Sequence, residues 1–310
     1  RLGVDVERVA AAAGVDANAG PTITTDQYFA FWRALDGEGR ADLGLVLGAW
    51  TPTSGSSVAS SAALLAPTFG EALRTFSRYK RLACPEDVAI AVRDGEVGVT
   101  FHWLLARDEV PRLLVDAVFA SLAALAREGT GRAVAPLRIE LARKSAHAAM
   151  LRAHFACPVK FGASVDRVVF AERALAAPMV TANGEVFARI VPGLEAELVG
   201  RRRSRTLVDD VRIAIARTMS SGNRPSIDVI AGGLRTSART LQRKLGTADT
   251  TFQHELDEVR RLSARRLLAR TDLDPLDISF LLGFSEPNSF TRAFRSWERT
   301  TPLRWRAARS

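Results

Sequence analysis

The chain is poor in the residues from which metal centres and disulfide frameworks are built. Its 310 residues include two cysteines and four histidines. Cys84 and Cys157 lie far apart, without the paired spacing of a zinc site, and the histidines add no ligand pattern to them. We therefore expect no metal site and two reduced, buried thiols.

Long apolar runs are also missing. No segment approaches the roughly 20 apolar residues of a membrane-spanning helix. The first seven residues carry two acids, where a signal peptide has none. These features predict a cytoplasmic protein that does not enter a membrane, and the absence of methionine at residue 1 is expected of a trimmed beginning.

The motifs of common enzymes are absent as well. His102, His147 and His154 have no serine or cysteine in a nucleophile motif. The sequence has no glycine-rich phosphate loop and no carboxylates paired at a useful spacing. We expect a protein without catalytic residues and without a cofactor.

What the chain does have is basic charge at one end. Residues 201–310 hold 22 Arg or Lys against 12 Asp or Glu, a net charge of +10, whereas residues 1–200 hold 21 against 22. Such an excess is typical of a domain that binds a polyanion, because cations that neutralise phosphates release condensed counterions. A solvated basic surface is the alternative interpretation.

Residues 1–195 have the pattern of an α+β domain, in which helices accompany a small antiparallel sheet. Apolar residues at helical spacing predict helices near Phe69–Leu82 and Leu113–Gly129. Val88–Arg93 and Glu96–Trp103 alternate as strands on either side of Asp94-Gly95, a dipeptide suited to a two-residue hairpin turn. Further short strands are predicted at 137–142, 159–161 and 168–171.

An arginine-rich linker is predicted at residues 196–206, where the composition shifts. Arg201, Arg202 and Arg203 are candidate contacts to DNA phosphates, and a solvated linker is the alternative. The pattern of residues 207–310 is helical and interrupted only by turns. It predicts an all-α domain with two helix-turn-helix motifs, joined by a long helix at Phe252–Arg270. At about 1.5 Å per residue this helix is about 28 Å long.

The first motif has its second helix after Ser237, an N-cap residue. Leucines at positions 234, 241 and 245 supply the predicted core. Arg239, Gln242 and Arg243 then share a polar face. Arg pairs with guanine and Gln with adenine in the major groove, so we expect these three side chains to read bases. Lys244 is a candidate phosphate contact.

The second motif has its tight turn at Gly283. Six apolar residues form its predicted core: Ile278, Leu281, Leu282, Phe284, Phe290 and Phe294. This assignment leaves Asn288, Ser289 and Arg292 to read bases, and Arg295 to contact a phosphate.

The long helix carries five arginines that could contact the DNA backbone between the two motifs: Arg260, Arg261, Arg265, Arg266 and Arg270. Of these, Arg266 is the predicted phosphate contact. Surface salt bridges with Glu255, Asp257 and Glu258 are an equally good interpretation of the same charges.

Five segments of residues 207–308 match a known pattern: Arg239-Thr-Leu-Gln-Arg-Lys-Leu245, Arg265-Arg-Leu-Leu268, Asp277-Ile-Ser-Phe-Leu-Leu-Gly-Phe-Ser285, Asn288-Ser-Phe-Thr-Arg-Ala-Phe294 and Thr301-Pro-Leu-Arg-Trp305. They resemble the DNA-binding domain of the AraC/XylS transcriptional regulators. The resemblance implies a bacterial transcription factor that binds a double-stranded DNA operator and RNA polymerase, with the same six base-reading positions.

The first motif departs from this family at one turn. Arg235 stands where the family usually has glycine, which would place an arginine in a costly left-handed conformation. Gly232 and Gly233 precede it inside a predicted helix, where each glycine costs roughly 0.5–1 kcal/mol relative to alanine.

The N-terminal half carries a second resemblance, in Phe155-Ala-Cys-Pro-Val-Lys-Phe-Gly-Ala163 and Val169-Phe170. These segments resemble the arabinose-binding-domain-like module of ornithine-utilisation and VirS-type regulators, which implies effector binding and a homodimer. Control by a protein partner, or by constitutive dimerisation, is the alternative. Aromatic residues are candidates for the pocket of an unknown small-molecule effector, although ordinary core explains each of them too: Trp50, Phe76, Tyr79, Phe101 and Trp103.

Overall fold

The computed structural model describes residues 3–15, 24–49, 58–82, 86–103, 110–203 and 206–309. The chain divides into two compact units. The first comprises Arg1–Ile139, Ala146–Val159 and Arg167–Leu198, and the second comprises Glu140–Ser145, Lys160–Asp166 and Val199–Ser310. The domain limits 1–195 and 207–310 stay predictions. Two short segments inside the first predicted domain, Glu140–Ser145 and Lys160–Asp166, group with the second unit.

The described residues before 204 form eight α-helices and one five-stranded sheet. The helices are α1 (Val6–Ala12), α2 (Thr25–Asp36), α3 (Leu43–Ala49), α4 (Val58–Leu64), α5 (Phe69–Tyr79), α6 (Arg112–Gly129), α7 (Ala148–Phe155) and α8 (Gly184–Arg203). The strands are β1 (Glu86–Arg93), β2 (Glu96–Trp103), β3 (Arg138–Leu141), β4 (Val159–Phe161) and β5 (Arg167–Ala171). This content confirms the predicted α+β class.

The sheet has the strand order β1-β2-β5-β3-β4. β1 and β2 form the predicted antiparallel hairpin, and Asp94 and Gly95 at its turn have φ angles of 52° and 76°. β3 and β4 run in the same direction, since Ile139 N donates to Pro158 O and Gly162 N donates to Arg143 O. The sheet is therefore mixed rather than wholly antiparallel, because α7 connects β3 to β4 as a crossover helix.

Phenylalanine side chains fill the core of the first unit. Phe76, Phe101 and Phe119 are each 1% exposed, and the ring centroids of Phe101 and Phe119 lie 5.4 Å apart. α3 packs closely on α6 because it carries glycine at the contact. A Cβ added at Gly48 would lie 2.0 Å from Ala117 O.

The predicted linker is helical over most of its length. α8 continues through residues 196–203, and it contains Pro192 inside its span. Thr206 then caps the next helix by accepting the backbone N–H of Asp209 at 3.2 Å.

The second unit contains seven helices among the described residues after 205: α9 (Leu207–Ser220), α10 (Ile227–Gly233), α11 (Ala238–Thr247), α12 (Phe252–Arg270), α13 (Pro275–Leu281), α14 (Pro287–Glu298) and α15 (Pro302–Ala307). They share one apolar core that includes Val211, Leu241, Leu268 and Phe294. The predicted arrangement of two motifs joined by a nineteen-residue helix is confirmed, with the same bounds for α12.

Two sequence expectations concern thiols and membranes. Cys157 is a free, half-buried thiol whose pKa is raised by burial, and Cys84 lies outside the described residues. In the described part of the chain, no helix is both long and apolar enough to cross a membrane. In the same residues, no group of three or more His, Cys, Asp or Glu side chains is placed to hold a metal ion.

Candidate nucleic-acid interface

The first helix-turn-helix motif consists of α10 and α11. Ser237 begins α11 by accepting the backbone N–H of Thr240 at 3.2 Å, as an N-cap serine does. Leu241 and Leu245 are completely buried, and Leu234 packs against the same core. The predicted cap and leucine core are confirmed, so the opposite face of α11 is left to solvent.

That opposite face carries the three predicted base-reading side chains. Arg239, Gln242 and Arg243 are all exposed, and Lys244 is exposed beside them. None of these four side chains has a hydrogen bond or an ion pair with another described residue. Positions three and four apart share one face of a helix, so α11 presents two guanidinium groups and an amide together.

The second motif consists of α13 and α14, with Gly283 at the turn. Gly283 has a φ of 73°, a left-handed conformation that glycine adopts without steric cost. Phe290 and Phe294 of α14 are completely buried, and their ring centroids lie 5.7 Å apart. Both aromatic residues fix α14 on the core through one side and leave its other side exposed.

One predicted core residue of this motif is wrong. Leu281 is 37% exposed, whereas Ile278 and Leu282 are 0% and 1% exposed. The buried face of α13 follows positions four apart, and Leu281 lies on the outer side with Asp277, which is also exposed.

The outer face of α14 carries the remaining predicted base readers. Asn288 and Arg292 are exposed and Ser289 is partly buried. Arg292 Nη2 donates to Ser289 Oγ at 3.3 Å, which keeps this guanidinium beside the first turn of α14. Arg295, the predicted phosphate contact, is exposed one turn further along. The two second helices therefore present similar sets of polar and cationic groups.

The arginines of α12 point mainly into the protein. Arg260 donates from Nε to Leu282 O and from Nη2 to Gly283 O, both at 2.9 Å. Its guanidinium carbon lies 4.2 Å from the centroid of Phe284. Arg260 thus holds the turn of the second motif. No local sequence pattern indicates this role, since the partners are 22 and 23 residues away.

Two neighbouring arginines have acidic partners. Arg261 lies 3.2 Å from Glu258 and 3.3 Å from Glu298, and Arg265 lies 3.9 Å from Glu298. These two side chains therefore form salt bridges, as the second interpretation predicts. Of the three acids predicted as partners, Glu258 is the one that Arg261 contacts.

Glu255 has a different role. Its side chain is 2% exposed and pairs with Arg212 of α9 at 2.5 Å, while Thr250 Oγ1 donates to its other oxygen at 2.5 Å. This buried carboxylate joins α12 to α9, and so it stabilises the unit instead of facing DNA.

The other predicted phosphate contacts differ in how they are placed. Arg266 is partly buried, its Nε has no hydrogen-bond partner among the described residues, and burial lowers the pKa of its guanidinium. The side chains of Arg201, Arg202 and Arg203 lie outside the described residues. Lys244 and Arg295 are the exposed members of this set.

The candidate effector residues of the first unit form part of its core. Phe76 and Phe101 are 1% exposed with ring centroids 6.4 Å apart, and Trp103 is 6% exposed. Tyr79 OH donates to Glu195 at 2.7 Å, and burial raises the pKa of the phenol. Trp50 lies outside the described residues. Ordinary core packing accounts for these aromatic contacts.

Trp103 Nε1 is a buried polar atom of that core, and it has no hydrogen-bond partner among the described residues. A buried donor without an acceptor costs about 1–3 kcal/mol, so this indole N–H stands out within an otherwise apolar cluster. One open cavity is lined by Gly95, Ala171, Glu172 and Arg173, and none of the aromatic candidates lines it.

Comparisons with known proteins agree with both halves of this description. Residues 3–179 match the family described as the arabinose-binding domain of AraC transcription regulator, N-term, and residues 230–308 match a helix-turn-helix domain. The chain is 28% identical over 273 residues to the ornithine utilization regulator of Pseudomonas aeruginosa, across 87% of this chain and 80% of that protein.

Two further proteins are similar to this chain. The HTH-type transcriptional regulator VirS of Mycobacterium tuberculosis is 30% identical over 159 residues, which cover 51% of this chain and 46% of VirS. The crystal structure of the transcriptional regulator CdpR from Pseudomonas aeruginosa matches with a TM-score of 0.48 and 23% identity, across 97% of this chain and 96% of that one.

These relatives are transcriptional regulators and not enzymes, as the sequence led us to expect. The resemblances to the AraC/XylS regulators and to their arabinose-binding-domain-like module are both confirmed. Because the match to residues 3–179 spans more than half of the chain, this protein belongs to the AraC family of DNA-binding transcriptional regulators.

Proposed function

We propose that the two motifs of one chain read bases in successive major grooves of an operator. The observation that carries this proposal is the pair of outward faces on α11 and α14. Their side chains are Arg239, Gln242, Arg243, Asn288, Ser289 and Arg292. On α11 these groups have no partner within the described chain, so their donors and acceptors are available to base edges. A helix of about 28 Å between the motifs approaches the ~34 Å of one DNA turn.

Base readout makes a distinct prediction for two arginines, one from each motif. Arg243→Ala and Arg292→Ala should each weaken operator binding by about 1–3 kcal/mol and relax selectivity at one base position, since a bidentate contact to guanine is lost. Selection of operators from a random duplex pool, followed by titration of each variant on the selected and on scrambled duplexes, measures both effects. Equal losses on the two kinds of duplex would show that these arginines do not read bases.

We assign phosphate contacts to a second set of side chains: Arg201, Arg202, Arg203, Lys244, Arg266 and Arg295. Lys244 and Arg295 have the exposure that such contacts need, and Arg266 would have to leave its partly buried position. Lys244→Ala should weaken binding to all sequences alike and reduce the slope of log K against log salt by about 0.9. A loss confined to the selected operator would remove Lys244 from this set.

The first unit is proposed to bind a small-molecule effector. The family match to an arabinose-binding domain supports this proposal. The indole N–H of Trp103 also supports it, because it has no partner among the described residues and a ligand acceptor could satisfy it. Effector binding would then change the geometry of a homodimer or free the second unit to bind DNA. Control by a protein partner, or by constitutive dimerisation without a ligand, is the competing proposal.

A thermal-shift screen of the full chain separates these two forms of control. The panel should include sugars, fatty acids, aromatic acids and amino acids, with ornithine among them because one relative is an ornithine utilization regulator. A ligand that binds the folded state raises the melting temperature in a saturable way. Trp103→Phe removes the N–H and should reduce that rise. A folded dimer that no compound stabilises would favour the competing proposal.

The remaining parts of the proposal follow from the family and from the chemistry of its target. A homodimer would read two half-sites, one for each chain, and RNA polymerase is the proposed protein partner on the promoter. A regulator that binds chromosomal DNA in a bacterium works in the cytoplasm. Analytical ultracentrifugation with and without a selected operator tests the dimer, and transcription in vitro with purified RNA polymerase tests the second partner.

A further inference from the structure

The two motifs turn between their helices with the same hydrogen bonds. In the first, Arg235 N donates to Gly232 O at 3.0 Å and Thr236 N donates to Ala231 O at 2.9 Å. In the second, Gly283 N donates to Phe280 O at 2.9 Å and Phe284 N to Ser279 O at 3.0 Å. Both turns therefore use the Schellman geometry, which ends a helix with one left-handed residue.

The left-handed residue differs between the two turns. Gly283 has a φ of 73° and Arg235 has a φ of 55°. Glycine pays no steric penalty in this region, whereas the Cβ of any other L-residue crowds the backbone. The first motif thus keeps a strained arginine at a position where the second motif has the residue that the geometry favours.

The fold gains no visible contact from this arginine. Arg235 is exposed, and its side chain has no hydrogen bond, ion pair or ring contact with another described residue. Strained residues cluster at functional sites, so a left-handed arginine without a side-chain contact among the described residues is a candidate for a role outside the folded chain where its position offers one.

The position of Arg235 suggests what that role is. It lies two residues before Ser237, the N-cap of α11, and four before Arg239 at the start of the proposed base-reading face. Recognition helices enter the major groove with their N-terminal residues toward the bases, so the turn before α11 lies beside the sugar–phosphate backbone. Arginine is a common donor to phosphate oxygens.

We propose that Arg235 is an additional phosphate contact of the first motif, made at the expense of backbone strain in its turn. This inference rests on the proposed function, since it requires α11 to enter the groove. The guanidinium of Arg235 would then help to position α11 on duplex DNA without distinguishing one base from another.

Arg235→Gly tests the proposal because it should make the chain more stable and yet bind DNA more weakly. Relief of the left-handed strain should raise the melting temperature of the full chain by roughly 2–5 °C. Loss of the guanidinium should weaken binding roughly 5- to 20-fold on a selected operator and on a scrambled duplex alike, and should reduce the salt slope by about 0.9. Arg235→Lys keeps the charge and should keep most of the affinity.

Arg299→Gly is a matched control. Arg299 is also exposed and left-handed, with a φ of 58°, but it lies after the C-terminal end of α14, away from the end that is proposed to enter the groove. This substitution removes the same charge and relieves the same strain. It should raise the melting temperature by a similar amount and leave DNA affinity within twofold of the original chain.

Three results would overturn the role of Arg235. They are an Arg235→Gly variant that is stabilised but binds DNA as well as the original chain, a loss confined to the selected operator, and an equal loss in Arg299→Gly. An original chain that bound no duplex at all would overturn the proposed function as well. Binding by the original chain with selective losses in Arg243→Ala would preserve that function whatever Arg235 does.

Discussion

Arg260 offers a sharp test of how the arginines of α12 are used. The sequence leaves two interpretations open for it, a DNA phosphate contact and a surface salt bridge. The structure shows two hydrogen bonds of 2.9 Å to the carbonyl groups of Leu282 and Gly283, and a guanidinium 4.2 Å from the Phe284 ring. We therefore expect Arg260→Ala to destabilise the turn of the second motif.

The magnitude follows from those contacts. A hydrogen bond from a charged donor contributes about 1.5 kcal/mol net, and a cation–π contact contributes about 0.5–1 kcal/mol. Arg260→Ala should thus lower the free energy of unfolding by about 3.5 kcal/mol. For a unit of this size the melting temperature should fall by roughly 10–15 °C. Differential scanning calorimetry of the full chain measures this change.

The control is Arg265→Ala, from the same helix. Arg265 lies 3.9 Å from Glu298 and 5.9 Å from the Trp305 ring, and its side chain is 30% exposed. Partly exposed ion pairs of this kind contribute about 0–1 kcal/mol, so the control should change the melting temperature by only a few degrees.

Hydrogen exchange locates the effect of Arg260→Ala. Amides of the Gly283 turn and of α14 should exchange faster, while those of α11 should not change. The internal role would be refuted by a variant that melts like the original chain yet binds every duplex more weakly, with a shallower salt dependence. That outcome would return Arg260 to the phosphate contacts.

Two other predictions concern stability and use paired substitutions. Gly232→Ala should stabilise the second unit by about 0.5–1 kcal/mol in urea unfolding, because an added Cβ inside α10 meets nothing within 4 Å. Gly48→Ala should instead destabilise the first unit by about 2 kcal/mol or more, since its Cβ would lie 2.0 Å from Ala117 O. Glu255→Ala and Arg212→Ala should each cost about 2–4 kcal/mol, and the double variant should cost clearly less than their sum; strict additivity would mean that this pair is not coupled.

Much of the fold could be predicted because its signals are local. Asp94-Gly95 between two alternating segments specifies a hairpin turn, and the pair indeed has positive φ angles. Ser237 before an amphipathic segment specifies where α11 begins. Both features are determined by residues that are neighbours in the sequence, so they can be predicted without knowing the rest of the fold.

Features that depend on distant residues were beyond the same reasoning. The parallel pairing of β3 with β4 depends on how α7 crosses between them, which alternation within each strand does not reveal. Leu281 has the chemistry of a core residue, and only the packing of α13 puts it on the outside. The continuation of α8 to Arg203 is likewise obscured by Pro192 and by a run of charged residues.

The exposure of the proposed base-reading face could be predicted from the sequence, whereas the surroundings of the proposed phosphate contacts could not. A base-reading face must lie opposite the core leucines of its helix, so periodicity locates it. A phosphate contact requires only a free cation, and arginine is equally suited to internal carbonyl and carboxylate partners. Arg260 and Arg261 have such partners, whereas Arg235 has none among the described residues, and residue type alone does not distinguish them.

This division of the arginines changes what the net charge of +10 means for DNA binding. Counterion release depends on the number of cations that reach phosphates, and not on the sum of charges in a domain. Arg212, Arg260 and Arg261 are held by internal partners, and their charges stabilise the helices that position α11 and α14. The salt dependence of binding should therefore reflect those exposed cations that reach phosphates, such as Arg235, Lys244 and Arg295. A basic composition is thus consistent with a DNA-binding unit, although part of its charge stabilises the fold.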